Sequence, residues 1–358
     1  MSYKYLGVIC RVSRRVATAL LFSVLSTLSL SAQMNVEAAA TFSNAIKDNG
    51  PDPWVVAWNG SYYYMNTTGR NLTIWKTTDI ADLRNAEKKV VWTPETGTAW
   101  SKDIWAPELY RWGDAWYIYF AADAGTNASH RIFVIENTSA DPMEGEWTLK
   151  GKVMDGTDRW AIDADVFEAN GQHYMLWSGW KRDKDGEQDI FIAHMSNPWT
   201  IDTARTLISS PKYSWEKHGD LPKRHVNVNE GPEALIHGND IFIVFSGSGC
   251  WTDNYALGAI RSTVSSNLLN KKSWKKIPDP LFSTDADAHA FGPGHNGFFK
   301  SPDGQQDWLI YHANPETGQG CGGHRSPRIQ PFTWNADGTP NFGKPVPLGQ
   351  QLPKPSSR

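Results

Sequence analysis

Five times along this chain, an extended run opened by a polar or aromatic residue meets a Gly/Asn/Asp turn, and an aromatic-rich second run follows. The copies are Asp52-Pro-Trp-Val-Val-Ala-Trp-Asn-Gly, Trp105-Ala-Pro-Glu-Leu-Tyr-Arg-Trp-Gly-Asp, Asp163-Ala-Asp-Val-Phe-Glu-Ala-Asn-Gly, Glu230-Gly-Pro-Glu-Ala-Leu-Ile-His-Gly-Asn and His295-Asn-Gly-Phe-Phe-Lys-Ser-Pro-Asp-Gly. The opening residue stands about seven or eight positions before the turn, and copies recur at roughly 50 to 70 residues, a spacing that marks a repeat architecture. Arranged radially, such hairpins make a five-bladed β-propeller in which the residue opening each inner strand faces the axis. The expectation is therefore an all-β chain with Asp52, Trp105, Asp163, Glu230 and His295 around one central pocket.

Period-two alternation supports the strand reading in Trp116-Tyr-Ile-Tyr-Phe, His173-Tyr-Met-Leu-Trp and Ile241-Phe-Ile-Val-Phe, each just after a hairpin-type turn. Leu72-Thr-Ile-Trp-Lys, Arg131-Ile-Phe-Val-Ile and Asp189-Ile-Phe-Ile-Ala-His are expected third strands, and no long stretch carries a 3.6-residue apolar period. Ile329 to Trp334 reads as a further strand and Asn341 to Leu348 as an extended piece helping to close the ring. The propeller domain is placed at residues 41–350, with 351–358 as a C-terminal tail.

The net charge of −3 comes without basic runs, which removes the electrostatic case for nucleic acid or anionic membranes. The 18 Trp, 12 Tyr and 14 Phe suit flat apolar sugar faces, although a β core claims most of them. Residues 1–40 read as an export signal: Lys4, Arg11, Arg14 and Arg15 precede an apolar stretch from Val16 to Leu30, and small residues allow cleavage after Ala32 or Ala40. The mature protein is then expected to be secreted or periplasmic and free of the membrane. It keeps Cys250 and Cys321, which follow the second runs of adjacent repeats and are expected to pair.

Three carboxylates at one hub have a chemical reading. Hydrolysing a glycosidic bond takes one acid to protonate the leaving oxygen and a second carboxylate to activate water or attack the sugar. The acid has to hold its proton near neutral pH, which burial or a neighbouring negative charge arranges, so a third carboxylate has a purpose. Each also has a plainer reading: Asp52-Pro53 as a turn opener, Glu230-Gly-Pro as a bend, Asp163 or Asp165 as a strand-edge charge. Alternation leaves Asp163 and Asp165 on the same strand face, and the repeat position favours Asp163. Glu233 faces away from Glu230 on a regular strand, and Glu108 stands to Trp105 as Glu233 does to Glu230. His295 either bonds neighbouring carbonyls or positions a carboxylate or a cation-bound water.

At these residues the sequence resembles glycoside hydrolase family 43, from about Asp52 to Leu348. Gly50-Pro-Asp-Pro-Trp-Val is similar to the segment holding that family's general base, which implies that role for Asp52. Ala161-Ile-Asp-Ala-Asp-Val-Phe is similar to the segment with the third carboxylate, implying that Asp163 raises the acid's pKa, with Ala164 where Pro is commoner. Asn229-Glu-Gly-Pro is similar to the general-acid segment, implying Glu230. Ile104-Trp-Ala-Pro-Glu implies a sugar-lining Trp105, and Gly292-Pro-Gly-His-Asn implies a calcium or sodium ion beside His295, structural and not required for the chemistry. Arg325, five residues before Gln330, matches an arginine reaching the site. Trp180 and Trp251 are the other candidates for substrate contact.

Met195-Ser-Asn-Pro-Trp-Thr and Ser248-Gly-Cys-Trp-Thr-Asp-Asn-Tyr most resemble the branch with exo-acting α-L-arabinofuranosidases. The resemblance implies inverting release of terminal L-arabinose from arabinan or arabinoxylan. A β-xylosidase or endo-arabinanase is the neighbouring reading, and a non-catalytic carbohydrate-binding propeller the one from a different class.

Overall fold

The computed structural model describes residues 40–184 and 186–357, so the export segment read over 1–40 lies outside the described residues apart from Ala40. Among the described residues the chain is nearly all β, with four short 3-10 helices, and no helix is long and apolar enough to cross a membrane.

Every repeat folds as the expected antiparallel hairpin and gains outer strands. The first unit is Trp54–Trp58, Ser61–Met65, Leu72–Thr77 and Glu87–Trp92; the second is Lys102–Trp112, Ala115–Asp123, Arg131–Asn137 and Thr148–Val153. The third runs through Ala161–Ala169, Gln172–Gly179 and Glu187–Asn197, with Thr206–Ser209 beyond; the fourth is Asn227–His237, Asp240–Gly247, Ala256–Thr263 and Lys275–Lys276. The fifth is Phe291–Lys300, Asp307–Asn314, Ser326–Trp334 and Pro340–Asn341. A short parallel register, Glu187 with Asn227 and Gln188 with Val228, joins the third and fourth units into one nine-stranded sheet.

Packing explains the aromatic load. Along Trp116-Tyr-Ile-Tyr-Phe, Trp116, Ile118 and Phe120 enter the cluster shared with the first unit, while Tyr117 and Tyr119 enter the one shared with the third. Both faces of an inner unit are thus buried, and alternation here sorts apolar residues between two neighbours instead of dividing core from solvent. Further clusters join the third unit to the fourth through Ile190 and Ile243 and the fourth to the fifth through Phe242 and Tyr311. A fifth cluster, with Trp308, Ile310, Tyr62 and Trp75, joins the last unit to the first.

The C-terminal segment departs from the sequence reading. Gln351–Pro353, assigned to the tail, is a strand paired with Thr41–Ser43, whereas from Asn341 to Leu348 only Asn341 lies in a strand. Three residues are too few for a pattern, and the partner is at the other end of the chain.

One backbone device sets the site. The strands carrying Trp105, Asp163, Glu230 and His295 each have a register shift in their hairpin pairing. Positive φ falls at Ala106 (41°), Asp163 (55°), Gly231 (54°) and His295 (50°), and likewise at Asp52 (56°) just ahead of the first strand. These are the structurally equivalent positions. The repeat alignment is therefore corrected by one residue in the second and fourth units: Trp105 and Glu230 precede the equivalent residues, Ala106 and Gly231. A bulge puts an extra residue on one strand and bends it, so side chains that strict alternation would separate both reach the hub.

Candidate active site

All eight residues singled out from the sequence, Asp52, Trp105, Asp163, Trp180, Glu230, Trp251, His295 and Arg325, line one cavity of about 410 Å³. Asp52 is the most heavily bonded. Its Oδ1 accepts from Arg325 Nη1 at 2.8 Å and its Oδ2 from the Thr67 hydroxyl at 2.6 Å, while His295 Nδ1 stands 3.4 Å from Oδ1. Thr67 in turn accepts the Ala106 N–H at 2.7 Å, which fixes the direction of its own proton. The Asp52 N–H donates to His312 Nδ1 at 3.0 Å, so that nitrogen is unprotonated. Burial by itself would raise the Asp52 pKa, but Arg325 first, with His295 and the Thr67 hydroxyl, outweighs it and holds the carboxyl well below the usual range.

Glu230 is held from behind by Asn229, whose side chain accepts from Ser209 Oγ (2.7 Å) and Lys276 Nζ (3.0 Å) and donates to Glu216 Oε1 (2.9 Å). The Asn229 carbonyl also accepts from Ser178 Oγ of the third unit at 3.0 Å. Burial raises the Glu230 pKa to about 7, opposed by the neighbouring Tyr255 hydroxyl and assisted by the Asp52 charge. Asp163 Oδ2 accepts the Gly231 N–H at 3.0 Å. It too is pushed up to about 7, by burial first, with the Glu230 and Asp52 charges adding and His295 opposing. A side chain at Gly231 would be strained: its Cβ would lie 3.2 Å from His295 Nδ1, on a backbone at φ 54°.

The remaining lining combines an aromatic group with a disulfide-tied segment. Trp160 and Trp180 stack at 5.1 Å between ring centroids, and Trp105 stacks on His130 at 4.1 Å. The lining also includes Cys250 and Cys321, which form the expected disulfide, with Trp251 and with Leu221 and Arg224 of a small hairpin, Asp220–Leu221 and Arg224–His225. Trp251 Nε1 donates to the Asp220 carbonyl at 3.0 Å and so ties that hairpin to the wall.

Asp165 is not a member of the cavity. It accepts the Ala234 N–H at 2.9 Å, and its carboxyl gathers with those of Glu108 and Glu233, ligand atoms within 4.8 Å of one another and all buried. Glu108 and Glu233 are raised well above the ordinary range, and Asp165 to about 7, in each case chiefly by burial. Glu233 lies outside the cavity that Glu230 lines, as expected, but the expectation that Asp165 shares a face with Asp163 fails, because the bulges add a residue and realign Glu108, Asp165 and Glu233 as equivalents.

Thr67, His312, Tyr255 and Trp160 were not anticipated. A histidine inside the apolar run Trp308-Leu-Ile-Tyr-His-Ala was a signal for His312, and Tyr255 closes the phrase Ser248-Gly-Cys-Trp-Thr-Asp-Asn-Tyr already singled out; Thr67 lies in a segment with no pattern.

Compared with known proteins, residues 42–340 match the family model described as Glycosyl hydrolases family 43. The chain belongs to this family. As a family 43 member it is a glycoside hydrolase, and its relatives agree. It is 36% identical to an extracellular exo-α-(1→5)-L-arabinofuranosidase from Streptomyces avermitilis, over 94% of this chain and 72% of that one. It is 34% identical to α-L-arabinofuranosidase B from Pyricularia oryzae, over 86% of this chain and 64% of that longer one. Among solved structures, the α-L-arabinofuranosidase from Lactobacillus brevis superposes with a TM-score of 0.80 at 34% identity, covering 86% of this family 43 chain and 98% of its own.

Proposed function

We propose that this enzyme is an exo-acting α-L-arabinofuranosidase, exported from the cell, that releases terminal L-arabinose from arabinan or arabinoxylan with inversion. The observation carrying this reading is the split between two carboxyls in one cavity: Asp52 is held ionised by Arg325, while burial keeps the proton on Glu230. Neighbouring groups driven to opposite protonation states are what paired base and acid catalysis requires. Asp52 takes a proton from water on one face of the sugar as Glu230 delivers its own to the departing oxygen, in a single displacement. Trp105 and the Trp160–Trp180 stack offer the apolar platform for the sugar face, and Trp251 and Arg224 also line the cavity. The five sheet units are the blades of a five-bladed propeller; closure of the apolar clusters from the fifth unit back to the first supports this.

A calcium or sodium ion belongs to the same proposal, expected beside His295 from the resemblance, while the structure offers a carboxylate set that does not include that histidine. The oxygen set of Glu108, Asp165 and Glu233 is of the type hard cations take, and such an ion would let these carboxyls ionise.

Asp163 keeps the acid protonated and oriented, and this has a pH signature. Glu230 works in its protonated form, so kcat/KM falls as pH rises through about 7. The Glu230 and Asp163 charges repel one another as both titrate near 7, so with Asp163→Asn Glu230 ionises more easily and this alkaline limb moves to lower pH, by about one unit. An alkaline limb in its original place in a pH–rate profile removes Asp163 from that role.

Product analysis tests the whole reading. Proton NMR of the first minutes of hydrolysis of linear and branched arabino-oligosaccharides is expected to show β-arabinose appearing before mutarotation. The α-anomer would overturn inversion, and the absence of release from any pentoside would overturn the enzyme assignment.

A further inference from the structure

We infer that the Cys250–Cys321 disulfide is a positioning element of the reaction: it holds the Cys321 carbonyl that aims the Arg325 guanidinium at Asp52. This rests on Asp52 being the base. All three guanidinium nitrogens of Arg325 are engaged: Nη2 donates to the Cys321 carbonyl at 2.9 Å, Nε to the Gly322 carbonyl at 3.4 Å, and Nη1 to Asp52 Oδ1 at 2.8 Å. The guanidinium is a rigid planar fork, so two carbonyls at its back determine where the third nitrogen points.

Those carbonyls sit in an irregular connection between Asn314 and Ser326 that contains Gly318, Gly320, Gly322 and Gly323. Such a segment has little conformational preference of its own. It is tied by the Gly318 N–H to Asp253 Oδ1 (3.0 Å), by Asn314 Nδ2 to the Gly320 carbonyl (2.9 Å), and covalently at Cys321 itself. The other end of the covalent tie is anchored. Just before Cys250, the Ser248 N–H donates to the Val228 carbonyl at 3.1 Å and the Gly249 N–H to the His218 carbonyl at 2.8 Å. Val228 lies on the strand that carries Glu230. The bond therefore couples the arginine that supports the base to the strand that carries the acid, and both cysteines form part of the cavity wall.

The test is a double-mutant cycle on terminal arabinose release, comparing wild type, Cys250→Ser/Cys321→Ser, Arg325→Lys and the combination. Loss of the bond is expected to lower kcat about tenfold, through misdirection of the base, with KM changed less than about twofold. In the Arg325→Lys background, where the fork is already gone, the same cysteine change is expected to cost less than about twofold. Equal losses in both backgrounds, or a lower Tm with kcat intact, would reduce the disulfide to a staple. Where the cysteine variant does not fold, native wild-type enzyme reduced with a phosphine and then reoxidised supplies the comparison. A reversible fall in kcat supports the inference; an unchanged kcat with two free thiols overturns it. Asp52→Asn separates the two levels: if it retains activity the base assignment has failed, and if it is inactive while the cysteine and Arg325 losses simply add, only the disulfide inference has.

Discussion

Asp52→Asn lowers kcat on arabino-oligosaccharides and on aryl arabinofuranosides alike, by about 10³-fold or more. An amide has no basic oxygen to take a proton from water, and the attacking water is needed whichever group departs. The substitution keeps the size of the side chain and leaves the Thr67 hydroxyl an oxygen to bond, so the fold is expected to survive. What disappears is the negative charge that Arg325, His295 and His312 surround. The measurement is steady-state kinetics on both substrate classes, with circular dichroism to verify folding. Near wild-type turnover would take the base role from Asp52 and leave Asp163 as the remaining carboxylate of the cavity to examine.

Glu230→Gln should divide the substrates instead. On arabino-oligosaccharides, whose departing sugar oxygen needs a proton, kcat falls by about 10²–10³-fold. On an aryl arabinofuranoside with a strongly acidic phenol the leaving group needs no proton, and the loss is under about tenfold by the same Brønsted reasoning. The alkaline limb near pH 7 vanishes in the variant, because the group whose ionisation causes it is gone. Equal losses on both substrates would show that Glu230 acts on the water or merely holds the sugar. The pairing of the two experiments matters: one substitution is indifferent to the leaving group and the other is governed by it.

The sequence and the folded chain agree at the level of units and differ at the level of single residues. The hairpins could be read because Asn59-Gly60 and Asn170-Gly171 connect strands as two-residue turns with both residues at positive φ, a geometry with a strong local residue preference. Glu230 and Trp105 were assigned to the pocket correctly on an alignment one residue out. The offset was latent in the spacing: Asp52 and Asp163 stand seven residues before Asn59 and Asn170, while Trp105 and Glu230 stand eight before Gly113 and Gly238. Without knowledge of the bulges, that difference carried no information about side-chain direction.

By itself, the amino-acid order determined the all-β character, the five hairpins and eight of the residues that line the cavity, because periodicity, turn chemistry and repetition are local properties. Only the tertiary structure decided which carboxyl keeps its proton. The Asp52 pKa is held low because Arg325 and Thr67, far apart in the chain, meet it, and the Glu230 pKa is pushed up to about 7 because the units around it bury it. It also decided that Asp165 leaves the cavity for Glu108 and Glu233, since the bulges that redirect these residues are set by pairing between strands. Proton affinity depends on burial and on charges within a few ångströms, and both follow from chain segments brought together from different sheets.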